Sequence, residues 1–294
     1  MQCTVAIAPF FVFAGYKVCK TAITSAVGPF PVPAEFGFEN PVISSDNPTF
    51  SAFTAFTNAP SVNALDKENI WHPFTQSYGS SLPIPIVRAE GLYLFTENGE
   101  KIIDAISSWW TSVHGHCNPY IAQAIFEQAT TLDHVIFAGF THPKAVELSQ
   151  KVLSLLPSNF SKVFFSDDGS TSVEVAIKMG LQYWFNKGIK KTRIIALKDS
   201  YHGDTFGAMA VGERSAFTQA FDPLMFHVDF IQAPFPGQEK QSLDELKAAI
   251  KDDTALFIFE PLLMGTAGMK MYAPEALDEL IQCAKSKNVL CIAD

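Results

Sequence analysis

Apolar and polar residues fall into two textures along the chain, which change near residue 66. Over residues 1–65 the apolar positions keep neither a helical nor a strand period, so no regular element is predicted there. That stretch holds nine Phe, repeated Pro and only five charges: Lys17, Lys20, Glu35, Glu39 and Asp46. Its apolar run Val5–Gly15 has no positive charge before it and two lysines after it, the wrong polarity for a secretory signal. The segment reads as an extension, with a partner-binding arm as the sharper alternative.

From Asp66 onward the pattern becomes regular. Val87 to Thr96 reads as a hairpin, with turns at Glu90-Gly91 and Asn98-Gly99 between β-rich runs. Asn118 to Gln128 reads as a helix with Pro119 in its first turn, and Lys144 to Leu156 as a second helix stopped by Pro157. The centre predicts a strand over Lys162–Ser166, a turn over Asp167–Ser170, a long helix from Thr171 to Asn186 ended by Gly188, and a strand over Arg193–Leu197. Ala255–Phe259 and Val289–Ala293 are continuous apolar runs without alternation, as parallel strands covered on both faces require. Pro274 to Lys287 supplies the helix between them, completing a βαβ unit. The class is therefore α/β, a mostly parallel sheet flanked by helices, with ligands expected beyond the carboxyl ends of the strands.

Composition narrows the function. Of 294 residues 48% are hydrophobic and 17% charged, enough apolar material for a real core. With 21 basic against 30 acidic residues the net charge is −9, and the only arginines are Arg88, Arg193 and Arg214, so no basic stripe exists for nucleic acid or an anionic membrane. No uninterrupted apolar stretch has the length of a membrane span. Five scattered cysteines without a C-x-x-C pair point to free thiols in a reducing compartment.

Chemistry concentrates at the strand ends. Asp168-Gly169-Ser170-Thr171 places a glycine and two hydroxyls at a helix start, which suits an anion such as phosphate and equally suits an ordinary N-cap. Neither the P-loop nor the dinucleotide glycine pattern is present. Tyr201-His202-Gly203-Asp204 follows the next strand, and its ring could stack on a flat cofactor or simply line a surface loop. Glu260 and Asp294 end the last two apolar strands, and a protonated heterocyclic nitrogen is one partner such carboxylates accept. His114-Gly115-His116-Cys117 has zinc-ligand residue types, but without a second cluster it predicts no metal site. Trp109-Trp110 wall a pocket or belong to the core.

Taken together, WHPFTQ (Trp71–Gln76), DAISSWWTSVHGHCNP (Asp104–Pro119), FFSDDGSTSVEVAIKMGLQYW (Phe164–Trp184), YHGDTFGAMAVG (Tyr201–Gly212), FEPLLMGTAGM (Phe259–Met269) and the terminal IAD resemble the class III aminotransferases that act on 8-amino-7-oxononanoate in biotin synthesis. The similarity runs in family order from Ile70 to Asp294. It implies a fold type I enzyme dependent on pyridoxal 5′-phosphate (PLP), with Gly169 and Ser170 on the phosphate, Tyr201 on the ring, Asp294 at the pyridinium nitrogen and Glu260 near the cofactor. It also implies a substrate wall of Trp109, Trp110 and Phe74, with Asp204 approaching the amino donor. The family's Schiff-base lysine is expected beyond residue 294, so the chain holds no catalytic residue of that kind and is expected to be inactive alone. Lys198, at a strand end, reads as a surface lysine rather than a substitute.

Members that use S-adenosylmethionine often carry Tyr where Phe74 stands, which leaves the amino donor open. The expected organisation is an extension over 1–65, the start of a small domain over 66–120 and an incomplete PLP-binding domain over 121–294. Small-molecule substrates, a homodimer and a cytoplasmic location complete the expectation. Another ω-amino acid or diamine transaminase and a non-catalytic PLP-binding fragment are the alternatives.

Overall fold

The computed structural model describes residues 61–294 and the backbone of a two-residue strand, β1 (Val5–Ala6); the rest of the expected extension lies outside the described residues. Two compact units divide the described chain after Ile136, β1 grouping with the second; the expected boundary after residue 120 falls inside the helix over Pro119–Thr131, and this division lies five residues past that helix. In the first unit, helix α1 (Val62–Asn69) starts at Ser61, whose hydroxyl accepts from the Ala64 N–H at 3.2 Å. Strands β2 (Ile86–Glu90), β3 (Tyr93–Thr96) and β4 (Lys101–Ile103) form an antiparallel meander. Its turns use Gly91 and Gly99 at φ 56° and 79°, conformations that a Cβ disfavours. Helix α2 (Pro119–Thr131) has Pro at its first position, and Asn118 Oδ1 accepts from the Tyr120 and Ile121 N–H groups.

The second unit begins with α3 (Pro143–Leu155). The strand expected over Lys162–Ser166 does not form: Phe164 and Phe165 stay exposed, and no described strand lies beside the segment to take its backbone hydrogen bonds. The long helix α4 (Gly169–Asn186) starts two residues earlier than expected because Asp168 and Thr171 cap it reciprocally. Asp168 Oδ1 accepts from the Thr171 N–H at 2.7 Å, and Thr171 Oγ1 accepts from the Asp168 N–H at 3.0 Å. Gly188, at φ 69°, lets the chain turn back so that the Ile189 N–H reaches the Trp184 carbonyl.

Strand β5 (Arg193–Leu197), helix α5 (Phe206–Val211), strand β6 (Asp229–Ile231), helix α6 (Glu239–Ala249), strand β7 (Thr254–Phe259), the small hairpin β8 (Leu263–Met264) and β9 (Lys270–Met271), helix α7 (Pro274–Ser286) and strand β10 (Leu290–Ala293) follow. The main sheet is parallel, in the order β1-β10-β7-β5-β6, and β7-α7-β10 is the expected βαβ unit. All six residues of β7 are buried because helices cover both faces. Ile195, Leu197, Phe257 and Phe259 face Leu246 of α6 and Leu277 and Leu280 of α7. Their neighbours Ile194, Ala196, Leu256 and Ile258 face Val173, Ile177 and Trp184 of α4 and Ala208 and Val211 of α5. The period-two alternation of the strands thus divides their side chains between two cores. Since α5 leaves β5 toward one face and α7 leaves β7 toward the other, the carboxyl ends of these adjacent strands are the topological switch point, where open parallel sheets of this kind take their ligands.

Candidate active site

Two loops, after β5 and β7, meet the end of β10 at Asp294, and one helix begins beside them. The loop after β5, Ser200 to Thr205, links them all. Ser200 anchors it from below by donating to the Leu197 carbonyl at 2.7 Å. The Tyr201 N–H donates to Glu260 Oε1 at 2.9 Å, and Glu260 Oε2 accepts from the Gly265 N–H at 3.0 Å, so this carboxylate ties the β5 loop to the β7 loop. Tyr272, behind it, donates its hydroxyl to the Glu260 carbonyl. The Tyr201 hydroxyl donates to Asp204 Oδ2 at 3.2 Å. Partial burial, with the negative charges of Asp204 and Asp294 behind it, pushes the Tyr201 phenol up to about 12, so the ring stays neutral.

Gly203 sits at φ 118°, where a Cβ would lie 2.4 Å from Ser170 Oγ and 2.8 Å from Ser170 Cα. Only glycine lets this loop rest on the first turn of α4. Ser170 Oγ lies 2.8 Å from Thr205 Oγ1 and accepts from the Thr205 N–H at 2.9 Å. The first N–H groups of α4, at Gly169 and Ser170, have no acceptor within their own helix, and nothing lies within 4 Å of where a Gly169 Cβ would stand. Glu174 of α4 accepts from the Gly207 N–H at 2.5 Å and the Ala208 N–H at 3.2 Å, fixing α5 to α4. His202 is buried, and its Nδ1 meets Asp294 Oδ2 at 2.7 Å. The structure therefore brings together Gly169, Ser170, Tyr201, Asp204, Glu260 and Asp294. Lys198 stays apart from this group, 45% exposed with its Nζ 4.0 Å from Glu245.

The aromatic residues expected at the substrate lie in the first unit. Phe74 and Trp109 have ring centroids 5.8 Å apart at 54°, and Trp109 and Trp110 are mostly exposed. Ser107, Ser108, Trp109 and Trp110 have φ of 50°, 48°, 55° and 68°, a left-handed turn of four non-glycine residues. Asp104 steadies it: its Oδ2 accepts from Ser108 Oγ at 2.7 Å and meets His116 Nε2 at 2.8 Å. Hydrogen bonds from the Ser108 backbone and hydroxyl, then from His116, hold the Asp104 carboxyl down to about 2. His116 itself is pinned by reciprocal backbone bonds to Gly91.

Sequence reasoning missed His202, Thr205, Glu174 and the Asp104–His116 pair. Each acts through a contact between distant residues, 92 positions apart for His202 and Asp294, which no local pattern carries. The signal that could have drawn attention to His202 was its place between a candidate ring-stacking tyrosine and a glycine.

Residues 75–294 match the family model for class-III aminotransferases. The chain is 43% identical over 235 residues to the adenosylmethionine-8-amino-7-oxononanoate aminotransferase of Synechococcus elongatus, covering 77% of this chain and 55% of that protein. It is 38% identical over 247 residues to the enzyme of that name from Staphylococcus aureus, covering 78% and 55%. The crystal structure of the enzyme so named from Methanocaldococcus jannaschii superposes with a TM-score of 0.74 at 35% identity, over 79% of this chain and 54% of that one. An omega transaminase from Pseudomonas jessenii, solved in complex with PMP, superposes with a TM-score of 0.73 at 25% identity, over 80% and 56%. The chain spans about half the length of the curated relatives it matches. With the expected parallel sheet and the match over residues 75–294, the chain belongs to the class-III aminotransferase family.

Proposed function

We propose that this chain supplies the coenzyme cradle of a PLP-dependent aminotransferase that moves an amino group onto 8-amino-7-oxononanoate in biotin synthesis. The observation that carries the reading is the convergence of Ser170, Tyr201, Glu260 and Asp294 at the carboxyl ends of the strands, with backbone cleared of side chain at Gly169 and Gly203. This donor set fits PLP. The first N–H groups of α4 and the positive end of its dipole would hold the phosphate. Tyr201 would stack on the ring, its backbone set by Glu260, and Asp294 would accept the ring N–H. When bound, the coenzyme supplies an electron sink for the charge left when the substrate loses its Cα proton.

Trp109, Trp110 and Phe74 would line the substrate site, and Asp204 would meet the amino donor. S-adenosylmethionine is the donor named with the relatives, and Phe74 admits another amine. The working assembly would be a cytoplasmic homodimer.

Pyridoxamine 5′-phosphate (PMP) is the discriminating probe, since it lacks the aldehyde that reacts with surface lysines. The expected result is one PMP per chain, with Asp294→Ala weakening binding about tenfold or more, the worth of a charged hydrogen bond. Failure of the unaltered chain to bind PMP would overturn the reading. For the substrate, 8-amino-7-oxononanoate should quench indole fluorescence in the unaltered chain, and Trp109→Ala should remove most of that quenching.

A further inference from the structure

The left-handed turn Ser107–Trp110 carries two indole rings that burial does little to fix: Trp109 is 70% exposed and Trp110 56%. Four successive L residues at positive φ are costly, and such a turn persists only where its surroundings hold it. Asp104 is that hold. Its Oδ2 accepts from Ser108 Oγ at 2.7 Å, inside the turn, and meets His116 Nε2 at 2.8 Å. A carboxylate only accepts, so this contact places the imidazole proton on Nε2. The side chains of Asp104 and His116 are 7% and 14% exposed, so water competes little for these bonds. Both residues are anchored on one edge of the meander: the Asp104 N–H donates to the Leu92 carbonyl at 2.9 Å, and the His116 N–H to the Gly91 carbonyl at 2.8 Å. Within the turn the Ser107 N–H donates to the Asp104 carbonyl and the Trp110 N–H to the Ile106 carbonyl. The product of this arrangement is a ring pair, Trp109 tilted against Phe74.

We propose that Asp104 is a positioning residue for substrate binding: held by His116, it keeps Ser107–Trp110 left-handed and so presents Trp109 and Trp110 as a preformed apolar wall for the carbon chain of the amino acceptor. The assignment rests on the reading of these rings as the substrate wall. A wall ordered before binding spares the substrate the cost of ordering it, so the carboxylate contributes to affinity without touching the ligand.

The test uses the whole chain with 8-amino-7-oxononanoate as ligand, indole quenching as the measure of affinity and near-ultraviolet circular dichroism as the measure of how the rings are held. Asp104→Ala should weaken binding about tenfold, the worth of a charged hydrogen bond, and should lose the same part of the indole dichroism that Trp109→Ala loses. Adding Ser107→Gly to Asp104→Ala should recover part of both, since glycine takes the φ of 50° found there without a Cβ penalty. His116→Gln, whose amide N–H replaces Nε2–H, should bind as the unaltered chain does, while His116→Leu should behave as Asp104→Ala. The Gln and Leu pair carries the comparison even where Asp104→Ala folds poorly. Unchanged affinity and dichroism in Asp104→Ala and His116→Leu, or a loss that Ser107→Gly does not relieve, would overturn the assignment while leaving the substrate wall standing. Quenching in Trp109→Ala as strong as in the unaltered chain, or no binding by the unaltered chain, would overturn both.

Discussion

At the scale of single residues, Gly203 and Asp104 carry the sharpest expectations. Gly203→Ala forces a Cβ into Ser170 at a φ that L residues avoid, and should cost about 1–3 kcal/mol in chemical denaturation while weakening PMP binding. A variant as stable as the parent would show that the loop does not press on α4. Asp104 is ionised in the folded state down to about 2, below its ordinary 3.8. Its contribution to stability is therefore complete above about pH 4 and is lost as pH falls toward 2. Asp104→Asn should flatten the acid limb of a stability-against-pH curve over that window and nowhere else. The sequence made Gly169, Ser170, Tyr201 and Asp294 legible because each stands at the end of an element whose period could be read. It hid His202, because the meaning of a buried histidine lies in a partner on another strand.

Elements were legible where burial was uniform and failed where pairing was needed. Arg193–Leu197 matches β5 residue for residue, since an apolar run of that length bounded by charge has one reading inside a parallel sheet. Lys162–Ser166 has the same texture and forms no strand, because β structure is a property of a pair rather than of a segment. β6 and α6 escaped notice, the first for its three residues and the second for its polar composition. The contact between α4 and β7 is close enough to test: an added Cβ at Gly180 would fall 2.3 Å from Leu256 Cδ2. Leu256→Ala should cost about 2–5 kcal/mol, and pairing it with Gly180→Ala should recover part of that loss by refilling the space. Additive losses in the double variant would rule out a shared contact.

At the scale of the whole molecule, large apolar side chains such as Trp71, Trp109, Phe164 and Phe185 are mostly exposed. So much apolar side chain open to water favours association, so sedimentation should show association that rises with concentration; a monomer throughout would contradict it. The cradle has a further property of its own. Its bonds join residues 35, 59 and 92 positions apart, through Ser170–Thr205, Tyr201–Glu260 and His202–Asp294. Closing such long loops costs entropy before any contact repays it, so these bonds should appear late in folding and nearly together. The amide of Tyr201, held by a carboxylate from 59 residues away, should therefore trade its proton for deuterium only when the whole sheet opens, which makes one backbone hydrogen a clock for the integrity of the entire unit.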